Sequence, residues 1–287
     1  MKKILIIGKR GFIGKHLYKY LKKKNYTKSI SFKDINKIKS KLDNYDFIIN
    51  TSINKNYIFK RYNKKFDNDL KITDYINNNR TIYCLLSTRK VYKNGPNLKE
   101  NSKILPKSNY SKNKLITEKK ISKKFKNNLL ILRPSNIIGN TNSVKRIHKT
   151  FIDIFQKNIQ KGFIYDNEKN FKDFLSIDKF CEIIEKIINK KLTGTFNVSI
   201  GRKVYLNDLI NWLNTYNKKK FKTIKNLKIE KESFYLNNKK LMSKIKIKNS
   251  LNELKSFCHK YSREYFANSW KLMQILLAYL KFFHPSF

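Results

Sequence analysis

Three of the eight glycines in this 287-residue chain stand within seven residues, at Gly8, Gly11 and Gly14, directly behind the apolar run Ile4-Leu5-Ile6-Ile7. A strand that turns at once into a helix while its backbone approaches a pyrophosphate needs residues without a Cβ. The helix that follows carries Phe12, Ile13, Leu17 and Leu21 as its apolar pattern. Its free amides and positive dipole end would face the phosphates, with Lys9 or Arg10 adding charge. The chemistry implied is dinucleotide binding. The plainer alternative is a tight strand-to-helix turn without a ligand.

A second constellation supports proton transfer. Tyr110 and Lys114 stand four residues apart and so share one helix face. An ammonium held there favours the phenolate of a group that ordinarily titrates near 10, making a base useful near neutrality. The pattern alone is uninformative in a lysine-rich chain: six Tyr-x-x-x-Lys pairs occur, starting at Tyr18, Tyr20, Tyr110, Tyr165, Tyr216 and Tyr235. Position favours Tyr110, which opens a helical stretch about 22 residues after a strand-like run ending in Ser87 and Thr88.

The elements that would hold these groups follow a βαβ rhythm. Strand-like runs lie at Ile4–Ile7, Ser29–Phe32, Phe47–Asn50, Ile82–Ser87, Leu129–Leu132 and Gly194–Val198. Helical patterns fill about 12–24, 66–79, 108–126 and 178–191, the last capped by Asp178. Such alternation predicts an α/β fold with a Rossmann-like, doubly wound parallel sheet. Residues 1–139 would form that dinucleotide-binding domain, with 173–199 returning to it. Residues 140–172 and 200–267 lose the alternation and would build a smaller C-terminal substrate lobe, with substrate between the lobes. Residues 268–287 form an apolar tail: from Trp270 to Phe283 lysines occur only at 271 and 281. That run is too short to span a bilayer. It would pack on the domain or a partner subunit, or lie in a membrane interface helped by the positive charge.

The formal charge of +45 points first to nucleic acid. Only eight of the 65 basic residues are arginine, however, and the lysines are spread along the whole chain among many asparagines and isoleucines. Readers of nucleic acid favour arginine and concentrate it on one face. No specific nucleic-acid partner is therefore expected. Cys84, Cys181 and Cys258 lack paired spacing and four histidines form no ligand pattern, which argues against a disulfide framework and a metal site. A reducing, cytoplasmic setting is expected, and no export segment is evident at the N-terminus.

Six blocks, in order, carry a resemblance to the extended short-chain dehydrogenase/reductase family, the nucleotide-sugar epimerases, dehydratases and ketoreductases. Gly8-x-x-Gly11-x-x-Gly14 is similar to its cofactor loop, Ser87-Thr88-x-x-Val91-Tyr92 to its strand end, and Tyr110-Ser-Lys-Asn-Lys114-Leu to its catalytic helix. Arg133-Pro134-Ser135-Asn136-Ile-Ile-Gly139 resembles the Arg-Pro-x-Asn-x-Tyr-Gly turn. Lys172-Asp173-Phe174-Leu-Ser-Ile177-Asp178 resembles the Arg-Asp-Phe-x-x-Val-Asp block, and Gly194-Thr-Phe-Asn197-Val198 its late strand.

The resemblance implies NAD or NADP as cofactor and a nucleotide sugar as substrate. Tyr110 would exchange a sugar hydroxyl's proton, Thr88 would bond the same oxygen, and Lys114 would hold the nicotinamide ribose. Cofactor contacts would come from Gly8, Arg10, Gly11, Phe12, Ile13, Gly14, Asp34, Ile35, Thr51, Ser52, Ile53, Ser87 and Pro134, besides Tyr110 and Lys114. Thr88, Asn136 and Lys172 would touch substrate. A homodimer through helices 66–79 and 108–126 is implied as well. Two departures stand out. The family's dehydratases carry an Asp-Glu pair after the threonine, where this chain has Arg89-Lys90, so an epimerase or 4-ketoreductase fits better than a dehydratase. Between Gly14 and Asp46 there is room for one strand where the family fits two. The residue that reads the adenosine ribose is then ambiguous: Asp34 would bond that ribose or instead contact adenine, and Lys33 beside it would suit a 2′-phosphate, which leaves NAD against NADP open. The competing reading is a non-catalytic dinucleotide-binding protein of the same fold, associated with a membrane surface through its tail.

Overall fold

Ile4, Leu5, Ile6 and Ile7 have no exposed surface, which marks a strand covered on both faces. In a computed structural model of the chain, in which residues 1–140, 150–166, 170–218, 221–225 and 233–283 are described, this strand lies inside a six-stranded sheet. Parts of the expected substrate lobe (141–149, 167–169, 219–220 and 226–232) and the last four residues of the tail lie outside the described residues.

The chain runs β1 (Lys3–Ile7), α1 (Phe12–Leu21), β2 (Tyr26–Ile30), β3 (Phe47–Asn50), α2 (Lys55–Phe59), α3 (Asn68–Thr73), β4 (Ile82–Leu86), α4 (Asn109–Lys124) and β5 (Leu129–Pro134). It continues through β6 (Asn136–Ile138), α5 (Phe151–Gln160), β7 (Phe163–Asp166), β8 (Phe171–Lys172), β9 (Phe174–Ser176), α6 (Ile177–Asn189) and β10 (Gly194–Val198). The remainder is β11 (Val204–Tyr205), α7 (Leu206–Asn214), β12 (Lys222–Lys225), α8 (Lys239–Ile245) and α9 (Leu251–Phe283). The sheet has the order β10-β5-β4-β3-β1-β2 and every pairing in it is parallel. Three small two-stranded pairs, β11 with β8, β12 with β7 and β6 with β9, lie beyond it.

The period of two along each strand decides which helices cover which face. Ile4, Ile6, Phe47, Ile49, Leu130 and Leu132 join one apolar cluster with Leu17 and Leu21 of α1 and Phe180, Ile184 and Ile187 of α6. Leu5, Ile7, Ile48, Leu129 and Ile131 join the other, with Leu70, Ile72 and Ile121. Helices on both faces make the sheet doubly wound, as the sequence predicts. Strand order reverses between β1 and β3, so the crevice for ligands opens at their C-terminal ends.

Several boundaries differ from expectation. The second strand is Tyr26–Ile30 rather than Ser29–Phe32; it is the sheet's edge, and its exposed Tyr26 and Lys28 hid it from an apolar scan. Two 3₁₀ turns, Phe32–Lys37 and Lys39–Asn44, replace a further strand there. The helix expected at 66–79 is a 3₁₀ turn, Lys64–Phe66, followed by the short α3, because the Asp67 carboxylate accepts from Leu70 N and caps a new start. Ser176, not Asp178, caps α6 by accepting from Lys179 N at 3.2 Å, and Asp178 sits in the first turn, where its charge suits the helix dipole. The apolar tail continues α9, 33 residues long, and no described helix is long and apolar enough to cross a membrane. The three cysteines are free and buried.

Candidate active site

The crevice is an open cleft of about 490 Å³ lined by the start of α1 and by residues at the C-terminal ends of β3, β4 and β5, together with β6 and parts of α4 and α5. It brings together Phe12, Ile13, Thr51, Ser52, Ile53, Ser87, Thr88, Tyr110, Lys114, Pro134, Asn136 and Lys172 from the residues that the sequence singled out. No aspartate or glutamate is among its described lining residues. The glycine loop immediately precedes Phe12 and Ile13, the first residues of α1, which line the cleft. Gly8 has φ +116°, and its carbonyl accepts from Gly11 N at 2.9 Å, closing the turn. A Cβ on Gly14 would overlap that carbonyl and come within 2.6 Å of Thr51 Oγ1. Gly11 caps α1 without any side-chain hydrogen bond, and the first helical turn has no acidic residue. An anion is therefore the natural complement of those amides, and the loop fits the pyrophosphate of a dinucleotide.

Six predicted cofactor positions, Gly8, Arg10, Gly11, Gly14, Asp34 and Ile35, are not among the described lining residues. Asp34 is half exposed in the 3₁₀ turn after β2, its carboxylate 3.8 Å from Lys37 Nζ. Ile35 is 5% exposed and its side chain packs into the second apolar cluster. Arg10 is exposed on the glycine loop.

Helix α4 presents the proposed proton-transfer pair. Ser108 and Ser111 form a reciprocal capping box that fixes its first turn, the turn that carries Tyr110. Lys114 follows one turn on, 5% exposed, and its Nζ is 3.1 Å from Asp69 Oδ2. Burial pulls the ammonium down, the Asp69 charge pushes it up, and the balance lies above the ordinary lysine range. One further turn along, Glu118 accepts from Ser87 Oγ and from Arg133 Nε at 3.1 Å, while Arg133 Nη1 donates to Tyr92 OH at 2.9 Å. Ser87 thus gives its proton to Glu118 and can only accept from a ligand. Thr88 is different: its oxygen accepts from Lys90 N at 3.2 Å, which leaves the hydroxyl proton to donate. Arg89 is 5% exposed, stacked 3.5 Å over the Phe234 ring, with Nη1 donating to Asn94 at 2.9 Å.

Asn136 is placed by its backbone, whose N–H donates to Asp173 O at 3.2 Å, with β6 pairing Asn136 to Phe174. Asp173 itself is fully buried and accepts from the amides of Ile200, Gly201 and Leu236. Burial pushes its carboxyl up to about 7 against the pull of those amides. Asp173→Ala would leave two buried donors, the amides of Ile200 and Leu236, and the part-buried Gly201 amide without their acceptor, each buried one costing about 1–3 kcal/mol. Urea unfolding is expected to show a loss of about 3–5 kcal/mol, in the range of the most severe single substitutions.

The sequence did not point to Asp69. Its Oδ1 accepts from Asn50 Nδ2 and Tyr83 OH, both at 2.7 Å, and Asn50 Oδ1 in turn accepts from Ser52 N at 2.9 Å. Residues 4–199 match the NAD dependent epimerase/dehydratase family, and the chain belongs to it. No curated protein matches the sequence. Among solved structures, a UDP-N-acetylglucosamine 4-epimerase from Methanobrevibacter ruminantium in complex with UDP-N-acetylmuramic acid superposes with a TM-score of 0.75 at 19% identity, over 93% of this chain and 99% of that one. RMD from Pseudomonas aeruginosa, complexed with NADPH, gives 0.70 at 15% identity over 93% and 99%. UDP-glucuronic acid 4-epimerase from Bacillus cereus, in complex with NAD, gives 0.69 at 16% over 91% and 99%. At these identities the likeness is one of fold.

Proposed function

We propose that the protein is an NAD(P)-dependent epimerase or 4-ketoreductase acting on a nucleotide-activated sugar. The observation that carries this reading is that Thr88, Tyr110 and Lys114 line one cleft with Phe12 and Ile13, the first residues of α1 after the glycine loop, and with Asn136 and Lys172. The amides of α1 and the turn at Thr51 and Ser52 would hold a nicotinamide dinucleotide, with Lys114 bonding its ribose. Such a cofactor, when bound, supplies a reversible two-electron acceptor. Tyr110 holds or takes the proton at its Oη as a sugar hydroxyl and ketone interconvert, and Thr88 donates its hydroxyl to the same sugar oxygen. Asn136 and Lys172 would orient the sugar or its diphosphate, for which a cation is a suitable partner. Arg89 and Lys90, which line the cleft where the family's dehydratases carry an acid pair, favour epimerisation or ketone reduction over dehydration, which needs a further acid and base beside the tyrosine.

Denaturing the purified protein and identifying any nucleotide it releases separates these cases. An epimerase regenerates its cofactor within one turnover, so stoichiometric NAD is the result expected for that activity. An empty protein that binds added NADPH would indicate a ketoreductase. A protein that neither releases nor binds a nicotinamide nucleotide would overturn the proposal.

A further inference from the structure

We propose that Asp69 is a positioning residue of this site, which keeps Lys114 charged and aimed at the cleft although both side chains are buried. The inference rests on the reading of Lys114 as part of the active site. Its basis is a closed set of contacts. Lys114 and Asp69 side chains are 6% and 4% exposed and 3.1 Å apart. An ammonium taken out of water without a carboxylate partner tends to shed its proton. Asp69 is in turn locked at its other oxygen by Asn50 Nδ2 and Tyr83 OH at 2.7 Å. Because Asn50 Oδ1 also accepts from Ser52 N and Ser52 Oγ, one chain of hydrogen bonds runs from the turn after β3 through Asp69 to the lysine. The two ends of that chain border the same cleft.

The other titratable groups around Lys114 do not substitute for Asp69. Tyr57 on α2 presents its ring 5.7 Å from Nζ, and burial pushes its phenol far above the ordinary range. Tyr83 on β4 is pushed up in the same way and serves as a donor to Asp69. Asp67, at the start of α3, spends its oxygens on Leu70 N, Thr117 Oγ1 and Tyr62 OH; burial, and then the charge of Asp69, raise its carboxyl. Tyr110 is the remaining neighbour, on the lysine's own helix.

The test is the titration of Lys114 itself, followed by NMR on protein labelled at lysine Cε and assigned with Lys114→Met. In the wild-type protein Lys114 is expected to stay protonated above the ordinary lysine midpoint. In Asp69→Asn, nearly the same in shape, the midpoint falls by about one pH unit or more, a ~tenfold loss of proton affinity. Asp67→Asn, a carboxylate equally buried but not bonded to the lysine, gives a much smaller shift. Affinity for a reduced nicotinamide nucleotide, read by fluorescence without turnover, follows: Asp69→Asn weakens as pH rises from about 7 to about 9.5 more steeply than wild type. Identical Lys114 titrations in wild type and Asp69→Asn would overturn the proposal. Should that variant not fold, a wild-type Lys114 that titrates below the ordinary midpoint overturns it equally. Full turnover by Tyr110→Phe would instead sink the catalytic reading while leaving these titrations as they are.

Discussion

Tyr110→Phe is expected to lower turnover by roughly 10³-fold, within the range that a positioned general acid–base supplies. The substitution removes the phenol oxygen and keeps the ring. The first turn of α4 is held by the Ser108 and Ser111 capping box, to which the phenol does not contribute, so the helix survives. Lys114 keeps its ion pair to Asp69 at 3.1 Å, and the glycine loop is untouched. Stability and nicotinamide-nucleotide affinity therefore change little, and the loss falls on kcat rather than on KM. A panel of nucleotide sugars assayed with the cofactor that the native protein releases gives the comparison. Loss of cofactor binding along with turnover would point to a damaged site instead of a missing proton carrier, and unchanged turnover would remove Tyr110 from the mechanism.

The legible parts of this protein are those where one physical demand dominates. A strand covered on both faces must be apolar throughout, so β1, β3, β4 and β5 stood out in the sequence as short hydrophobic runs. The edge strand β2 faces such a demand only at Ile30, and its polar residues placed it wrongly by three residues at its start. The glycine loop was readable because a missing Cβ is a property of residue type. Tyr110 needed its position after Ser87 and Thr88, since lysine abundance makes the pair common by chance. Long-range polar contacts were the least visible. Asp69 lies 45 residues from Lys114 in the chain, and no spacing connects them. A signal did exist: with 20 acidic residues against 65 basic ones, Asp67 and Asp69 stand close together in a carboxylate-poor chain. Capping by Ser176 was hidden for a different reason, because serine and aspartate cap equally well and both occur at that helix start.

Gly14→Ala is expected to abolish measurable nicotinamide-nucleotide binding, by about 100-fold or more, and to cost about 1–3 kcal/mol of stability through overpacking. The new methyl would enter the space of the Gly8 carbonyl, which accepts from Gly11 N at 2.9 Å and so defines the turn. It would also crowd Thr51 Oγ1, which donates to Ile7 O at 2.9 Å and ties the end of β3 to β1. One carbon therefore presses apart β1, α1 and the turn after β3, the three elements whose junction forms the phosphate cradle. Gly11→Ala separates packing from ligand contact. A Cβ there would meet Gly8 O at 3.3 Å and Thr51 O at 3.9 Å, tight at one atom only, and Gly11 is exposed. Its stability should change by less than ~1 kcal/mol, while its methyl would intrude on the approach of a pyrophosphate to the loop. Fluorescence titration with a reduced nicotinamide nucleotide, alongside urea unfolding of the cofactor-free proteins, reads both effects. Weak binding with near-native stability in Gly11→Ala places the phosphates on the glycine loop, and native affinity in both variants would refute that placement.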